Sequence, residues 1–316
     1  MALLSLLTDN PKYTLMRGVA RFAAVRDGVV ALKSAVTSGA TRQHEQGLLS
    51  RMDGTLFPDI DREAFLAEMK RRGCAFGLKL PQRIVESVTR YAETHPVYAF
   101  RNEHEGFLPQ DRHAAETVLG KEILLAQYYN CERDCEAIDE IAADPLLNWV
   151  AQRYLGSVPL FLGCNLWWTY PVHPNRAEQL KHAHFFHRDI DDFRFMKYFF
   201  YLTDVEPGDG GHWFVSGSHR KSPHIQLRDR FVTRRFEDSE IGAFYDRSDI
   251  IEVVGPKGNG FSEDTLCVHK AASPTRNPRL MLQLQFALFD LGVGNDGRDP
   301  SQLKMLPIRD AGAAGG

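Results

Sequence analysis

The sequence predicts a helical N-terminal half followed by an antiparallel β-sandwich or barrel, and three observations carry that prediction. Apolar residues recur three and four apart up to about residue 155. From residue 156 onward, short β-branched and aromatic runs alternate with Gly and Pro turns. One late run, 279–286, alternates strictly between an apolar and a mixed polar face.

Taken in order, 17–35 carries helical spacing, whereas 37–58 carries Gly, Ser and charge without periodicity and reads as a loop or extended arm. Residues 61–72 place Phe65, Leu66 and Met69 on one inward face, and Gly73 closes that helix with a residue at ease at positive φ. Leu80-Pro81 opens another, running to about Thr94 with Ile84, Val85, Val88 and Tyr91 on one side. Further helices are expected over 114–129 and 135–155. Strands are expected over 160–170, 184–189, 195–204, 212–215, 265–271 and 279–289. The charged, aromatic stretch 225–250 interrupts that series and reads as an insertion at a barrel mouth. The expectation is one domain over 1–316, with a mainly helical scaffold at 1–155, a β core at 156–290 and a tail at 291–316.

The composition excludes several classes. The chain has 316 residues, 43% hydrophobic and 25% charged, which is enough apolar material for a full core, and its formal charge of -3 offers no field for a polyanion. General nucleic-acid binding is therefore not expected. Five Cys form no disulfide framework, and Cys131 and Cys135 lack the further ligands of a zinc set. No run approaches 18 uninterrupted apolar residues, so the expectation is a cytoplasmic protein without a membrane partner.

Chemistry concentrates after residue 170, where seven of the twelve His fall within about fifty residues. In extended chain, positions i and i+2 share a face, so His187 and Asp189 become neighbours without distant closure. His-x-acid spacings arise by chance about 1.6 times in a chain of this composition, so the pair needs a third ligand. His269 supplies one, from a late strand that antiparallel pairing can bring alongside. Two imidazoles and a carboxylate leave the opposite side of a metal open, an arrangement suited to ferrous iron. Arg279 opens the run whose Arg279, Met281, Gln283 and Gln285 share the polar face. Its fork can donate two parallel hydrogen bonds to a carboxylate. The competing readings are ordinary hydrogen-bonded histidines and an edge-strand arginine paired with a surface acid.

The segment from His187 to Phe195, then Tyr201-Leu202-Thr203-Asp204-Val205, Gly217-Ser218-His219, and Asp264-Thr265 ahead of His269 and Arg279 resemble the phytanoyl-CoA dioxygenase-like branch of the Fe(II)/2-oxoglutarate-dependent oxygenases. The resemblance implies a double-stranded β-helix, a jelly-roll barrel packed on helices. It implies that His187, Asp189 and His269 hold Fe(II), and that Arg279 binds 2-oxoglutarate, with Tyr201 and, second, Lys197 as further cosubstrate contacts. His219 matches a turn that shapes the site, and Ala271 departs from a Ser found in some relatives, for which Ser273 is a candidate substitute. The implied reaction consumes 2-oxoglutarate and O2, releases succinate and CO2, and hydroxylates an unactivated C–H bond of a small or medium organic molecule. Asp189 occupies the position a halide would need, which argues against halogenation.

Such chemistry calls for an apolar cavity and a mobile cover. Trp167, Phe185, Phe199 and Phe214 are the candidate lining, and 225–250 is the candidate lid, whose Arg228, Arg230, Arg234 and Arg235 hint at an anionic substrate. Cys267, two residues before His269, is expected to look into the same cavity. Desaturation, cyclisation or epimerisation at the same iron, a non-catalytic jelly-roll binding module, and a cupin-like metal isomerase are the alternative readings.

Overall fold

In the computed structural model, which describes residues 10–172, 185–220, 235–292 and 296–308, most of the helices lie before residue 156. Helices α1 (Pro11–Val19) and α2 (Ala23–Val36) replace the single helix expected over 17–35. Residues 37–58 are not a loop, since α3 spans Ser38–Leu49. Only Leu48 of α3 is buried, so no apolar stripe announces the helix. Polar contacts to a later helix hold it, with Gln152 donating to the Thr41 carbonyl at 2.9 Å and the Trp149 indole to Glu45 at 3.1 Å.

Helix α4 (Arg62–Arg72) starts where the Asp61 carboxylate accepts from the N–H groups of Glu63 and Ala64, and stops at Gly73 with φ +75°. A Cβ at Gly73 would sit 2.4 Å from Cys267 Sγ, so both the backbone and the space require glycine. Helix α5 (Gln82–Thr94) follows as expected. Helix α6 (Arg112–Leu119) ends at Gly120, well short of 129. After α7 (Cys131–Asp134), the stretch 135–155 divides into α8 (Glu136–Ala142) and α9 (Pro145–Leu155), because Asp144 caps the N-terminus of α9 ahead of Pro145. A short helix, α10, covers Asp238–Phe244.

The 1–155 region is not purely a helical scaffold, because it contributes β1 (Cys74–Lys79), β2 (Val97–Ala99), β3 (Gly106–Phe107) and β4 (Leu125–Gln127). The later strands are β5 (Leu160–Thr169), β6 (Phe195–Tyr201), β7 (His212–Val215), β8 (Ile250–Val253), β9 (Asn259–Glu263), β10 (His269–Ala271) and β11 (Arg279–Ala287). Strands β8 and β9 have no counterpart among the expected strands. The strands form an antiparallel eight-stranded sheet in the order β1-β9-β6-β11-β5-β4-β2-β3 and a three-stranded one, β10-β7-β8.

Central strand β11 is buried along its whole length. Its Leu280, Leu282, Leu284 and Phe286 face the main core with Leu166, Tyr198, Phe200, Val88 and Trp149. Each such Leu contributes about 1.5–3 kcal/mol through removal of apolar surface from water. The opposite face of β11 is left to the site. All five cysteines are free thiols, and Cys131 and Cys135 belong to no metal-binding group among the described residues. No helix of the described residues is long and apolar enough to cross a membrane.

The strand expected over 265–271 begins only at His269. Ahead of it, Asp264 turns the chain by accepting from the Leu266 N–H at 2.9 Å. Cys267 therefore does not share a strand face with His269, and the expectation that it looks into the cavity is overturned. Its Sγ lies 3.4 Å from His219 Nδ1, behind the C-terminus of α4. The strand expected at 184–189 falls partly outside the described residues, and 185–189 makes isolated bridges rather than a ladder. His173, His182, His184 and His224, 293–295 and 309–316 of the tail, and 225–234 of the candidate lid with Arg228, Arg230 and Arg234 also lie outside the described residues.

Candidate metal and cosubstrate site

His187 and His269 meet as a reciprocal backbone pair, each N–H donating to the other's carbonyl at 2.9 Å. Directly paired residues in antiparallel chains project to the same side, and the two rings lie 4.3 Å apart. Asp189 is brought to the same side two residues on, its own N–H donating to the Thr265 carbonyl at 2.8 Å. The Nε2 atoms of His187 and His269 stand 3.6 and 3.7 Å from the two Asp189 carboxylate oxygens. One ligand atom from each of the three residues lies within 4.8 Å of the others, the only such group of three or more among the described residues.

The other nitrogen of each ring fixes the tautomer. His187 Nδ1 lies 3.0 Å from the Phe185 carbonyl and His269 Nδ1 2.9 Å from that of Cys267. A carbonyl can only accept, so both Nδ1 atoms carry hydrogen and both Nε2 lone pairs point at the shared space. Burial, together with the neighbouring His269, lowers His187 to about 3, which keeps its ring neutral. Burial pushes the Asp189 carboxyl up, but the Lys197 ammonium, then His269 and His187, outweigh it and hold the group ionised far below the usual carboxylate range. Neutral imidazoles and an ionised carboxylate are the protonation states a divalent cation requires.

Lys197 bridges Asp189 Oδ2 at 2.8 Å and Asp191 Oδ2 at 3.1 Å. Burial disfavours its charge, but the two carboxylates prevail and hold the ammonium protonated. The structure thus puts Lys197 on the acidic side of the site rather than beside Arg279.

Arg279 is no edge residue paired with a surface acid. It opens the central strand, is 1% exposed, and has no carboxylate partner among the described residues. Its fork donates to the Gly210 carbonyl, to the Ala272 carbonyl at 3.4 Å and to the Thr169 hydroxyl at 3.3 Å, while Nε is buried with no partner. Burial lowers its pKa, as expected for a cation held away from water without a counterion.

These groups share a cavity of about 390 Å³, lined from the large sheet, the small sheet and the 187–191 segment. Of the aromatic residues singled out in the sequence, Trp167 and Phe199 line it, and Phe185 and Phe214 do not. Phe214 packs between the sheets, and Phe185 contributes its carbonyl to His187. Tyr201 lies beyond the lining, its hydroxyl donating to the Val253 carbonyl at 2.8 Å and accepting from the His212 N–H at 3.0 Å. Both of its hydrogen bonds tie the two sheets together, which leaves no free hydroxyl for a cosubstrate.

Sequence reasoning missed a buried pair behind His269. His212 Nε2 lies 2.6 Å from Glu263 Oε2, and the His212 ring stacks on His269 at 5.6 Å. Burial raises the fully buried Glu263 to about 8 and lowers His212 to about 3, so both directions favour a neutral pair. An acid inside the otherwise apolar alternation of Phe261 and Glu263 was the available signal. The cavity is also less apolar than expected, since Asn165, Gln283, Gln285 and several arginines face it.

No protein-family model and no curated protein matches the chain. Among solved structures, it is similar to the epimerase SnoN in complex with Fe3+, alpha ketoglutarate and nogalamycin RO (14% identity, 71% of this chain and 82% of that one, TM-score 0.46). It is also similar to HygX from Streptomyces hygroscopicus with nickel and 2-oxoglutarate bound (14%, 72% and 87%, TM-score 0.47). A third is EvdO2 from Micromonospora carbonacea var. aurantiaca complexed with 2-oxoglutarate (17%, 73% and 92%, TM-score 0.47).

Proposed function

We propose that this chain is a non-heme Fe(II)/2-oxoglutarate-dependent dioxygenase that hydroxylates a small organic molecule, its two sheets forming the opposed walls of a double-stranded β-helix. The observation that supports it is the convergence, in one cavity, of two neutral imidazoles and an ionised carboxylate with a buried arginine that lacks a carboxylate partner.

His187, Asp189 and His269 would hold the iron, and Arg279 the distal carboxylate of 2-oxoglutarate. The donor set fits ferrous iron, because three ligands from one side leave room for a cosubstrate and O2. Iron with 2-oxoglutarate supplies oxidation of a C–H bond to an alcohol, coupled to conversion of 2-oxoglutarate and O2 to succinate and CO2.

The protein's part is positioning. The carbonyls of Phe185 and Cys267 hold the two rings in the metal-binding tautomer, and Lys197 keeps Asp189 ionised by sharing its charge with Asp191. Arg279 offers a planar fork whose orientation Thr169 and the Gly210 carbonyl fix. Trp167, Phe199 and Met281 exclude water from the wall between Arg279 and the ligand triad.

The test is anaerobic addition of Fe(II) and 2-oxoglutarate, followed by visible spectroscopy. A weak charge-transfer band that vanishes in Arg279→Gln is expected. Its absence from the wild type at saturating iron would falsify the assignment.

A further inference from the structure

The cavity carries more positive charge than its assigned chemistry uses. Among the described residues, six cationic side chains line it (Arg17, Arg101, Arg188, Lys197, Arg235 and Arg279) against two carboxylates, Asp189 and Asp191. Lys197 is spent on both carboxylates, and Arg188 on the carbonyls of Leu266 at 2.7 Å and of Ser218. Arg17 lies over the Tyr13 ring, 5.5 Å from its centroid. Arg279 is reserved for the cosubstrate under the oxygenase function, and the inference drawn from the remaining two, Arg101 and Arg235, rests on that function.

Neither Arg101 nor Arg235 has a carboxylate within ion-pairing distance among the described residues. Arg235 has a buried Nη1 with no partner. Arg101 lines the cavity and is exposed, which places it at the rim, with Asp296 near it but beyond ion-pairing distance. Its backbone is pinned: its carbonyl accepts from the Tyr129 hydroxyl at 2.8 Å, and the preceding Phe100 N–H donates to the Leu125 carbonyl at 2.8 Å. Phe100 and Arg101 both stand at positive φ, 54° and 63°, a conformation costly for residues with a Cβ that recurs where a side chain must be aimed. Burial lowers the pKa of the Arg235 guanidinium, with Asp189 opposing it from beyond ion-pairing distance, so the half-buried charge of Arg235 is under-solvated. A half-buried guanidinium with an unpartnered Nη1 and no carboxylate in ion-pairing distance among the described residues is costly unless a ligand supplies the anion.

We infer that the substrate of this site carries an anionic group, a carboxylate or a phosphate, gripped by Arg101 and Arg235 while Arg279 holds the cosubstrate. The amides of Asn165, Gln283 and Gln285 on the same wall suit a substrate that is polar along its length, not a hydrocarbon chain. The anion would set which carbon faces the metal ligands, since a fork bound at a fixed point orients what it holds.

The test uses the full-length protein with Mn(II), with and without saturating 2-oxoglutarate, and inorganic phosphate and benzoate as probes in separate titrations read by tryptophan fluorescence, Trp167 being in the lining. Saturable binding of at least one anion is expected. Arg101→Gln and Arg235→Gln should each weaken it roughly ten- to hundredfold while 2-oxoglutarate affinity stays within about twofold. Arg101→Lys, which keeps the charge, controls for folding and should retain most of the binding. Tighter binding of phosphate or of benzoate identifies which acid the site prefers. No saturable binding of either anion to the wild type, or unchanged binding in the Arg101→Gln, Arg235→Gln double variant, overturns the inference. Failure of the wild type to bind 2-oxoglutarate would instead overturn the oxygenase assignment, and the dependence of anion binding on Arg101 and Arg235 would still decide this one.

Discussion

His187 and His269 are 82 positions apart in sequence, yet each donates its backbone N–H to the other at 2.9 Å, so the same pairing that joins the two segments also sets the two imidazoles side by side. Metal affinity should therefore depend on either ring without dependence of the fold on the metal. His269→Ala is expected to weaken Mn(II) binding by about a hundredfold or more, with far-ultraviolet dichroism unchanged. Titration followed by electron paramagnetic resonance checks it, and wild-type affinity in the variant would rule His269 out as a ligand.

Lys197 sits between two carboxylates at 2.8 and 3.1 Å, and removing it leaves both charges uncompensated in a half-buried place. Lys197→Met should cost about 3 kcal/mol of stability in the metal-free protein. Saturating Mn(II) should recover most of that loss, because the cation replaces the ammonium next to Asp189. Urea denaturation with and without metal measures both. A variant equally unstable in both conditions would show that Lys197 acts on packing alone.

Arg279 separates cosubstrate from metal binding. Arg279→Gln is expected to lower 2-oxoglutarate affinity by about ten- to a hundredfold and leave Mn(II) affinity in place. Calorimetric titration of each ligand distinguishes the two, and parallel losses would mean that the substitution had disturbed the whole site.

Glu263 is fully buried, and its bond to His212 at 2.6 Å satisfies a ring that stacks on His269. Glu263→Ala strands the His212 nitrogen and should destabilise the protein by about 1–3 kcal/mol, whereas Glu263→Gln, which keeps a partner in place, should cost less. Comparison of denaturation midpoints decides it. Equal losses in the two variants would show that the cavity left behind, and not the hydrogen bond, dominates.

Asp296 gives a pH signature away from the metal ligands. Burial raises its carboxyl from 3.8 to about 7, against the opposing amide of Asn165 and the charges of Arg101 and Arg298. The folded state then holds a proton that the unfolded state releases, so this residue's contribution to stability falls as pH rises from about 4 to about 7 and is level above that. The difference in stability between wild type and Asp296→Asn should shrink across that window by up to about 4 kcal/mol. Denaturation at pH 4, 5.5, 7 and 8 tests it; a constant difference would place the Asp296 pKa at its ordinary value.

Local signals are legible where one segment carries the whole message. Asp61 and Gly73 mark helix ends by their own backbone chemistry, and the alternation of 279–286 assigns Leu282 to the core and Gln283 to the cavity because a strand has a period of two, whereas 135–155 reads as one helix straight through the break at Pro145. The His187-x-Asp189 spacing, His269 and Arg279 are visible for the same reason. Helix α3 is not, since it is held by polar contacts of Thr41 and Glu45 to α9 and leaves no apolar stripe. The turn at Asp264 redirects Cys267 away from the cavity, and the hydroxyl of Tyr201 is claimed by β7 and β8. The pairing of His212 with Glu263, and the placement of Arg101 and Arg235 around one cavity, are decided only by the tertiary structure. Sequence states which side chains can ionise, bond or bind metal, whereas burial and the partner that arrives from a distant strand or loop decide which state each group adopts.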